Sequence, residues 1–223
     1  MTAERTAENP IQLAVITGGH GYDVRNFHRF FRSLPGVDPY IQHMDDFASA
    51  RAEVRDGYDV ALFYTMLMDG PSDDGPWYAG KPETALAHLG ETAQGIILLH
   101  HAILAYPQWP LWSEIAGIED RSFRHHPEQT VRIEIARPAH PITADRSAWQ
   151  MEDETYLMDE PDADSEILLT AHHPKSMKAI AWARTYKRAR VVCFQSGHDN
   201  LTWANPGFGE TVARAIRWTA RRI

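Results

Sequence analysis

Over residues 13–100, short apolar stretches alternate with segments of helical spacing, and this alternation constrains the fold more than any other feature of the chain. Residues 13–16 read as a buried strand running into the Thr17-Gly18-Gly19 turn. Asp23 can cap a following helix, because Val24, Phe27, Phe30, Phe31 and Leu34 fall on one face before Pro35-Gly36 ends the run. The unit recurs, with strands expected at 40–44, 60–64 and 96–100 and helices at 47–54 and 83–89. Strands that alternate with helices build a parallel sheet covered on its faces. The Gly/Pro/Asp-rich stretch 69–76 is expected as a loop on the carboxyl side of the strands, where ligands bind in open α/β sheets.

The second half has a different pattern. Strands expected at 131–136, 167–170, 179–183 and 191–194 have little helix between them, which predicts a short antiparallel extension of the mainly parallel sheet. Residues 186–190 have the length of a hairpin connection. Asn205-Pro206 is a helix cap followed by proline in the first turn, and the helix it opens should turn Phe208, Val212, Ile216 and Thr219 inward. A chain of 223 residues suffices for one core around such a sheet, so residues 11–223 are expected as a single domain behind a flexible N-terminus, residues 1–10.

Charge and cysteine usage exclude several functions. A formal net charge of −8 offers no general attraction to phosphate backbones, so no nucleic-acid partner is expected. The basic residues that gather late, from Lys175 to Arg222, read as solvated faces of strands and a helix. Cys193 is the only cysteine, which rules out an internal disulfide and a cysteine-based metal cluster and fits a cytoplasmic location. Flanked by Val192 and Phe194, it reads as an inert core residue. The N-terminal segment has no apolar signal region and no apolar run is long enough to span a bilayer, so no membrane association is expected.

Twelve histidines and seven tryptophans direct attention to chemistry. Histidine-bearing turns stand at Gly18-Gly19-His20-Gly21, His100-His101, His140-Pro141 and Gly197-His198-Asp199, and three of them directly follow apolar strands. In a parallel sheet that placement converges on one crevice. The first turn lacks both Gly-x-Gly-x-x-Gly spacing and a P-loop lysine, and its glycines permit close backbone approach to a small ligand. No Gly-x-Ser-x-Gly or Gly-x-Cys-x-Gly elbow exists. Asp153-Glu154, with Tyr156 two residues on, offers carboxylates that can orient an imidazole, exchange protons or complete a metal site, or else belong to a solvated acidic loop. Trp182 and Trp203 are candidates for a sugar platform or for the core.

The order of these motifs resembles the ThuA-like (trehalose utilisation) family: Gly18-Gly19-His20-Gly21-Tyr22-Asp23, Leu99-His100-His101-Ala102, His140-Pro141-Ile142-Thr143, Asp153-Glu154-Thr155-Tyr156, and Gly197-His198-Asp199 with Trp203. The resemblance implies an α/β, flavodoxin-like three-layer sandwich related to class I glutamine amidotransferases. His100-His101-Ala102 stands where the amidotransferase cysteine elbow would be, so glutaminase activity is not expected. The implied context is carbohydrate metabolism, with a small-molecule carbohydrate as partner and a 3-keto-glycoside as substrate class. A ketone at C3 acidifies the C2 proton, so a base can abstract it and expel the C1 substituent. The resemblance assigns catalysis to His198, Asp199, Glu154, His101 and His20, with Asp199 orienting His198. Gly19, Tyr22, His100, Asp153, Trp182 and Trp203 are the candidate substrate contacts. His20, His101 and His198 are the candidate ligands for a divalent metal such as zinc. A non-catalytic sugar-binding or regulatory domain and a metal-dependent hydrolase of another substrate are the alternatives, and the oligomeric state, a homo-oligomer included, stays open.

Overall fold

The first apolar run is β1 (Ile11–Gly18), which pairs in parallel with β2 (Val37–His43) on one edge and β3 (Val60–Thr65) on the other, and whose alternate residues enter the cores on the two faces of the sheet. The computed structural model describes residues 9–223, so the expected flexible segment 1–10 lies outside the described residues except for Asn9 and Pro10. Asp23 caps α1 (Val24–Arg32) as anticipated, its carboxylate accepting the Asn26 N–H, and Phe27, Phe30 and Phe31 are buried. β2 stops at His43 because that residue caps α2 (Met44–Ser49). Its imidazole accepts the Asp45 N–H while the Asp46 carboxylate accepts the His43 N–H. The helix expected over 47–54 is instead two pieces, α2 and α3 (Ala52–Arg55), since Ala50 and Arg51 are extended at ψ 147° and 155°.

β3 leads through the loop 69–76 and a single 3-10 turn, Trp77–Ala79, into α4 (Pro82–Ala87) and then β4 (Gly95–Leu99), which pairs in parallel with β3. A helix that sequence periodicity did not predict, α5 (Pro110–Ala116), follows. The remaining strands are β5 (Arg124–Ile135), β6 (Trp149–Leu157), β7 (Glu166–Ala171), β8 (Ala179–Tyr186) and β9 (Ala189–Phe194), and the chain closes with α6 (Asn200–Trp203) and α7 (Pro206–Thr219).

Among the described residues, nine strands form one sheet in the order β2-β1-β3-β4-β9-β8-β7-β5-β6. β9 returns parallel to β4, whereas β9–β8, β8–β7, β7–β5 and β5–β6 are antiparallel. The antiparallel part is therefore as large as the parallel part. It exceeds the short extension expected because β6 and the first half of β5 are rich in charged and polar residues and conceal their strand alternation. Helices cover both faces. On one face α1 and α7 bury Phe27, Phe31, Phe208, Val212 and Ile216, and on the other α2, α4 and α5 bury Phe47, Leu86 and Trp112. Cys193 lies in the second of these cores and is buried, as expected.

The chain leaves β1 toward β2 on one side and resumes with β3 on the other. The strand order thus reverses at β1, and a crevice opens at the carboxyl ends of β1 and β3.

Candidate functional site

Three turns leave the carboxyl ends of β1, β4 and β9 and carry His20, His100-His101 and His198 into this crevice. The ring centres of His20 and His101 are 4.6 Å apart, those of His20 and His198 5.8 Å, and those of His100 and His198 5.2 Å. Glu154 reaches the same place from β6, its Oε1 lying 3.6 Å from both His100 Nε2 and His198 Nδ1. His140 does not join them. It follows β5, which runs the opposite way, and packs its ring on Trp218 at 4.9 Å.

The backbone of the site is held by buried polar contacts. Both Asp153 oxygens face the turn after β9, accepting the N–H groups of Gly197 at 2.9 Å and His198 at 3.0 Å. The Tyr64 hydroxyl meets the carbonyl oxygens of Gly197 and His198, and the Trp203 indole N–H donates to that of Gly197. Gly197 has φ 131°, and a Cβ there would press on the Phe208 ring at 3.3 Å and on His100. His100 itself has φ 55°, a left-handed conformation costly for a non-glycine residue and concentrated at functional sites.

Hydrogen bonds assign the protons. His100 Nδ1 lies 2.7 Å from the Gln195 carbonyl oxygen, so Nδ1 carries the hydrogen and Nε2 is the acceptor. The Tyr156 hydroxyl at 2.7 Å and His198 Nδ1 at 3.2 Å both lie on that Nε2, whose single lone pair they share. If His198 Nδ1–H is also a donor, the Nε2 of His198 keeps its lone pair. The His198 side chain is 29% exposed, against 11% for Glu154 and 0% for His100, so His198 is the member of the group that solvent or a substrate can reach.

Burial acts to raise the Glu154 carboxyl, but the adjacent His100 and His198 imidazoles outweigh that, and its pKa lies below the ordinary carboxylate value. Burial pushes His101 down to about 2, with His100 and His20 adding to the drop, and neither of its ring nitrogens has a hydrogen-bond partner. His20, at the exposed rim, is lowered by partial burial and by His198. Burial drives the Tyr156 hydroxyl well above its usual value, with the adjacent Glu154 and Asp153 carboxylates adding to the rise, so it stays a donor.

Several expectations require correction. Asp199 does not orient His198; its carboxylate caps α6 by accepting the Leu201 and Thr202 N–H groups. Trp182 is wholly buried with its indole N–H on the Ala116 carbonyl, and Trp203 is buried against Phe27, so neither offers a platform. Asp153 is buried and committed to backbone amides, and so is unavailable to substrate. Gly19 does approach backbone closely, but that backbone is Met66, whose carbonyl a Cβ would meet at 2.4 Å. His100 and His101 are buried beneath the exposed pair and cannot touch a substrate directly. Tyr22 is half-buried at the rim, with its ring on Phe27.

The candidate metal ligands also change. Among the described residues, the set whose donor atoms come together is His100, Glu154 and His198, in place of His20, His101 and His198. A tetrahedral ion with ligands at 2.0–2.1 Å separates its donor atoms by about 3.4 Å. Here the separations are 3.2, 3.6 and 3.6 Å. The donor set suits an imidazole-preferring divalent cation, although the Tyr156 hydroxyl competes for the same Nε2 lone pair of His100. Sequence reasoning missed Tyr64 and Gln195. Each stands at or just past the carboxyl end of an apolar strand, the same signal that identified the histidines.

The family described as "ThuA: Trehalose utilisation" matches residues 45–219 of the chain. No curated protein matches it. Among solved structures, a ThuA-like protein from Parabacteroides merdae is similar, with TM-score 0.74 and 17% identity over 95% of this chain and 90% of that one. A cytoplasmic protein from Salmonella typhimurium gives TM-score 0.64 and 12% identity over 92% of this chain and 98% of that one. PurLQS from Thermotoga maritima gives 0.59 and 10% over 94% and 99%. Identities this low speak to the fold alone. Among the described residues no helix is long and apolar enough to cross a membrane.

Proposed function

Because the chain belongs to the ThuA (trehalose utilisation) family, we propose that it is a carbohydrate-metabolism enzyme that cleaves a 3-keto-glycoside by acid–base chemistry on a flavodoxin-like, amidotransferase-related scaffold. The observation that carries the reading is the hydrogen-bonded line from the Gln195 carbonyl through His100 to His198, with ionised Glu154 beside both imidazoles.

In this proposal His198 Nε2 takes the proton from C2, made acidic by the ketone at C3. The electron pair forms an enolate and then a C1–C2 double bond as the C1–O bond breaks. The His198 imidazolium returns the proton to the departing oxygen, so the products are an enone and an alcohol. Glu154 stabilises the transient imidazolium, and His20 at the rim is in reach to donate to the enolate oxygen. His100 and Tyr156 do not touch the substrate; they hold His198 in register.

Incubating the protein with methyl 3-keto-glucoside tests this directly. Appearance of the enone and exchange of the C2 hydrogen for solvent deuterium are expected. Saturable binding with neither event would instead support a sugar-binding or regulatory domain. A second reading, a divalent-metal site at His100, Glu154 and His198, is favoured by the spacing of their donor atoms. Bound there, a cation would supply Lewis-acid polarisation of the substrate. Chelation separates the two readings: turnover that persists supports metal-free proton transfer, and turnover lost and then restored by Zn²⁺ supports the metal.

A further inference from the structure

Arg121, in the loop between α5 and β5, is only 2% exposed and has no part in the proton transfer described above. Burial lowers its pKa to about 10, so it stays protonated at neutral pH, yet among the described residues no carboxylate pairs with it. Its partners are mainly backbone. Nη1 donates to the carbonyl oxygens of Ile103, at 3.2 Å, and Ala105, and Nη2 donates to that of Tyr106 at 2.7 Å, while Nε reaches Ser113 Oγ on α5 at 3.3 Å. A buried guanidinium is costly unless its N–H groups are satisfied, and its rigid planar fork holds several carbonyls in a fixed relation, which an ammonium cannot.

All three carbonyls close the segment that begins at His100. His100–Leu104 is a 3-10 turn, and carbonyls at such an end have no partner within the turn. The segment is strained at both ends, since His100 has φ 55° and Tyr106 φ 48°, both left-handed and neither glycine. Such conformations persist only where the surroundings over-determine them. The first end is fixed by His100 Nδ1 on the Gln195 carbonyl, and the middle by the Trp112 indole N–H on the Ala102 carbonyl. The far end is fixed by Arg121, together with the Tyr106 N–H on the Leu67 carbonyl at 2.7 Å.

We propose that Arg121 is a positioning residue for the site: its guanidinium clamps the strained segment 100–106 so that the His100 imidazole stays between the Gln195 carbonyl and His198. The effect on turnover rests on the acid–base reading above, whereas the effect on His100 is independent of it.

The test follows the His100 Nδ1–H resonance by ¹H–¹⁵N NMR in the wild type, Arg121→Lys and Arg121→Ala, with the indole N–H signals of Trp182 and Trp203 as controls for the rest of the fold. Lysine keeps the charge and loses the fork. In both variants the His100 proton should exchange with solvent about tenfold faster, the worth of one hydrogen bond, while the control signals hold. Under the same conditions kcat for methyl 3-keto-glucoside should fall about tenfold, with KM near the wild-type value. Arg121 lines a cavity of about 560 Å³, which gives free guanidinium a way in. At a non-denaturing concentration it should restore the His100 signal and kcat in Arg121→Ala and leave the wild type unchanged. A purely structural role would lower Tm and leave the His100 proton of the folded variants as in the wild type, and that result overturns the proposal. Failure of both variants to fold, even with guanidinium, would make Arg121 a stability residue and overturn it as well. Should the wild type turn over no 3-keto-glycoside, the acid–base reading fails by itself and the His100 resonance decides the clamp.

Discussion

The Asp153 carboxylate accepts the backbone N–H of His198 at 3.0 Å, and its other oxygen takes that of Gly197, so one buried side chain sets the turn that presents His198. Burial raises the Asp153 pKa, while nearby His100 and the amide donors oppose the rise. Asp153→Ala leaves these N–H groups without acceptors and should cost about 2–5 kcal/mol of stability. Asp153→Asn, which keeps one acceptor oxygen, should cost less. Denaturant unfolding measures both losses. Turnover should fall in each variant even at temperatures where it remains folded, because the His198 turn is no longer held.

His101 supplies a pH signature. Its pKa in the folded protein is pushed down to about 2, so the folded protein keeps it neutral at pH values where the unfolded chain, with its ordinary value of 6.5, takes up a proton. Its contribution to stability is complete above pH 6.5 and declines as pH falls below it, by at most about 1.4 kcal/mol per pH unit. His101→Leu removes the group from both states. The pH slope of unfolding free energy between about 4 and 6 should flatten in the variant by up to that amount. Parallel curves for the two proteins would count against a neutral buried imidazole.

The parallel half of the sheet was readable because β1, β3 and β4 are unbroken apolar runs between turns, and buried parallel strands have that composition. β6 was not. Its sequence WQMEDETYL places Asp153 and Thr155 at inward positions normally filled by apolar side chains, so the alternation was hidden and the acids resembled a solvated loop. The convergence of His20, His101 and His198 followed from topology, whereas the partners of His198 did not. Asp199 is next to it in sequence but caps α6, while Glu154 and His100 arrive from β6 and the end of β4. α5 has seven residues, too few for periodicity to reveal.

Trp182 is a core residue despite its aromatic promise. Its indole N–H donates to the Ala116 carbonyl at 2.8 Å and its rings are enclosed. Trp182→Phe removes that hydrogen bond and opens a small cavity, at a cost of about 1–3 kcal/mol. Calorimetry should record a lower Tm. KM for any sugar substrate should stay where it is, and an increase in KM without loss of stability would return Trp182 to the binding surface.

Cys193 packs between β8 and β4, and burial drives its thiol pKa far upward, with Arg184 and Arg121 opposing weakly. A thiol kept protonated and enclosed is a poor nucleophile. The native protein should resist alkylation by iodoacetamide until denaturant is added, and Cys193→Ala should retain full turnover with a stability loss of about 1 kcal/mol. Inactivation of the folded Cys193→Ala protein would show that the thiol has a role in the chemistry.

His198 is the decisive residue for function, because it alone of the hydrogen-bonded group is substantially exposed. His198→Ala should lower turnover of a 3-keto-glycoside by roughly two to four powers of ten, the loss expected for a general acid–base group, with little change in substrate binding. Tyr156 acts one step back: its hydroxyl, 2.7 Å from His100 Nε2, fixes the acceptor that faces His198 Nδ1. Tyr156→Phe should therefore cost about tenfold in kcat, the worth of one buried hydrogen bond. A structural role for Tyr156 would lower Tm and leave the pH–rate profile in place. A positioning role lowers kcat while KM and Tm stay close to the wild-type values. Full turnover in His198→Ala, with the 3-keto-glycoside still consumed, would remove His198 from the mechanism and the acid–base proposal with it.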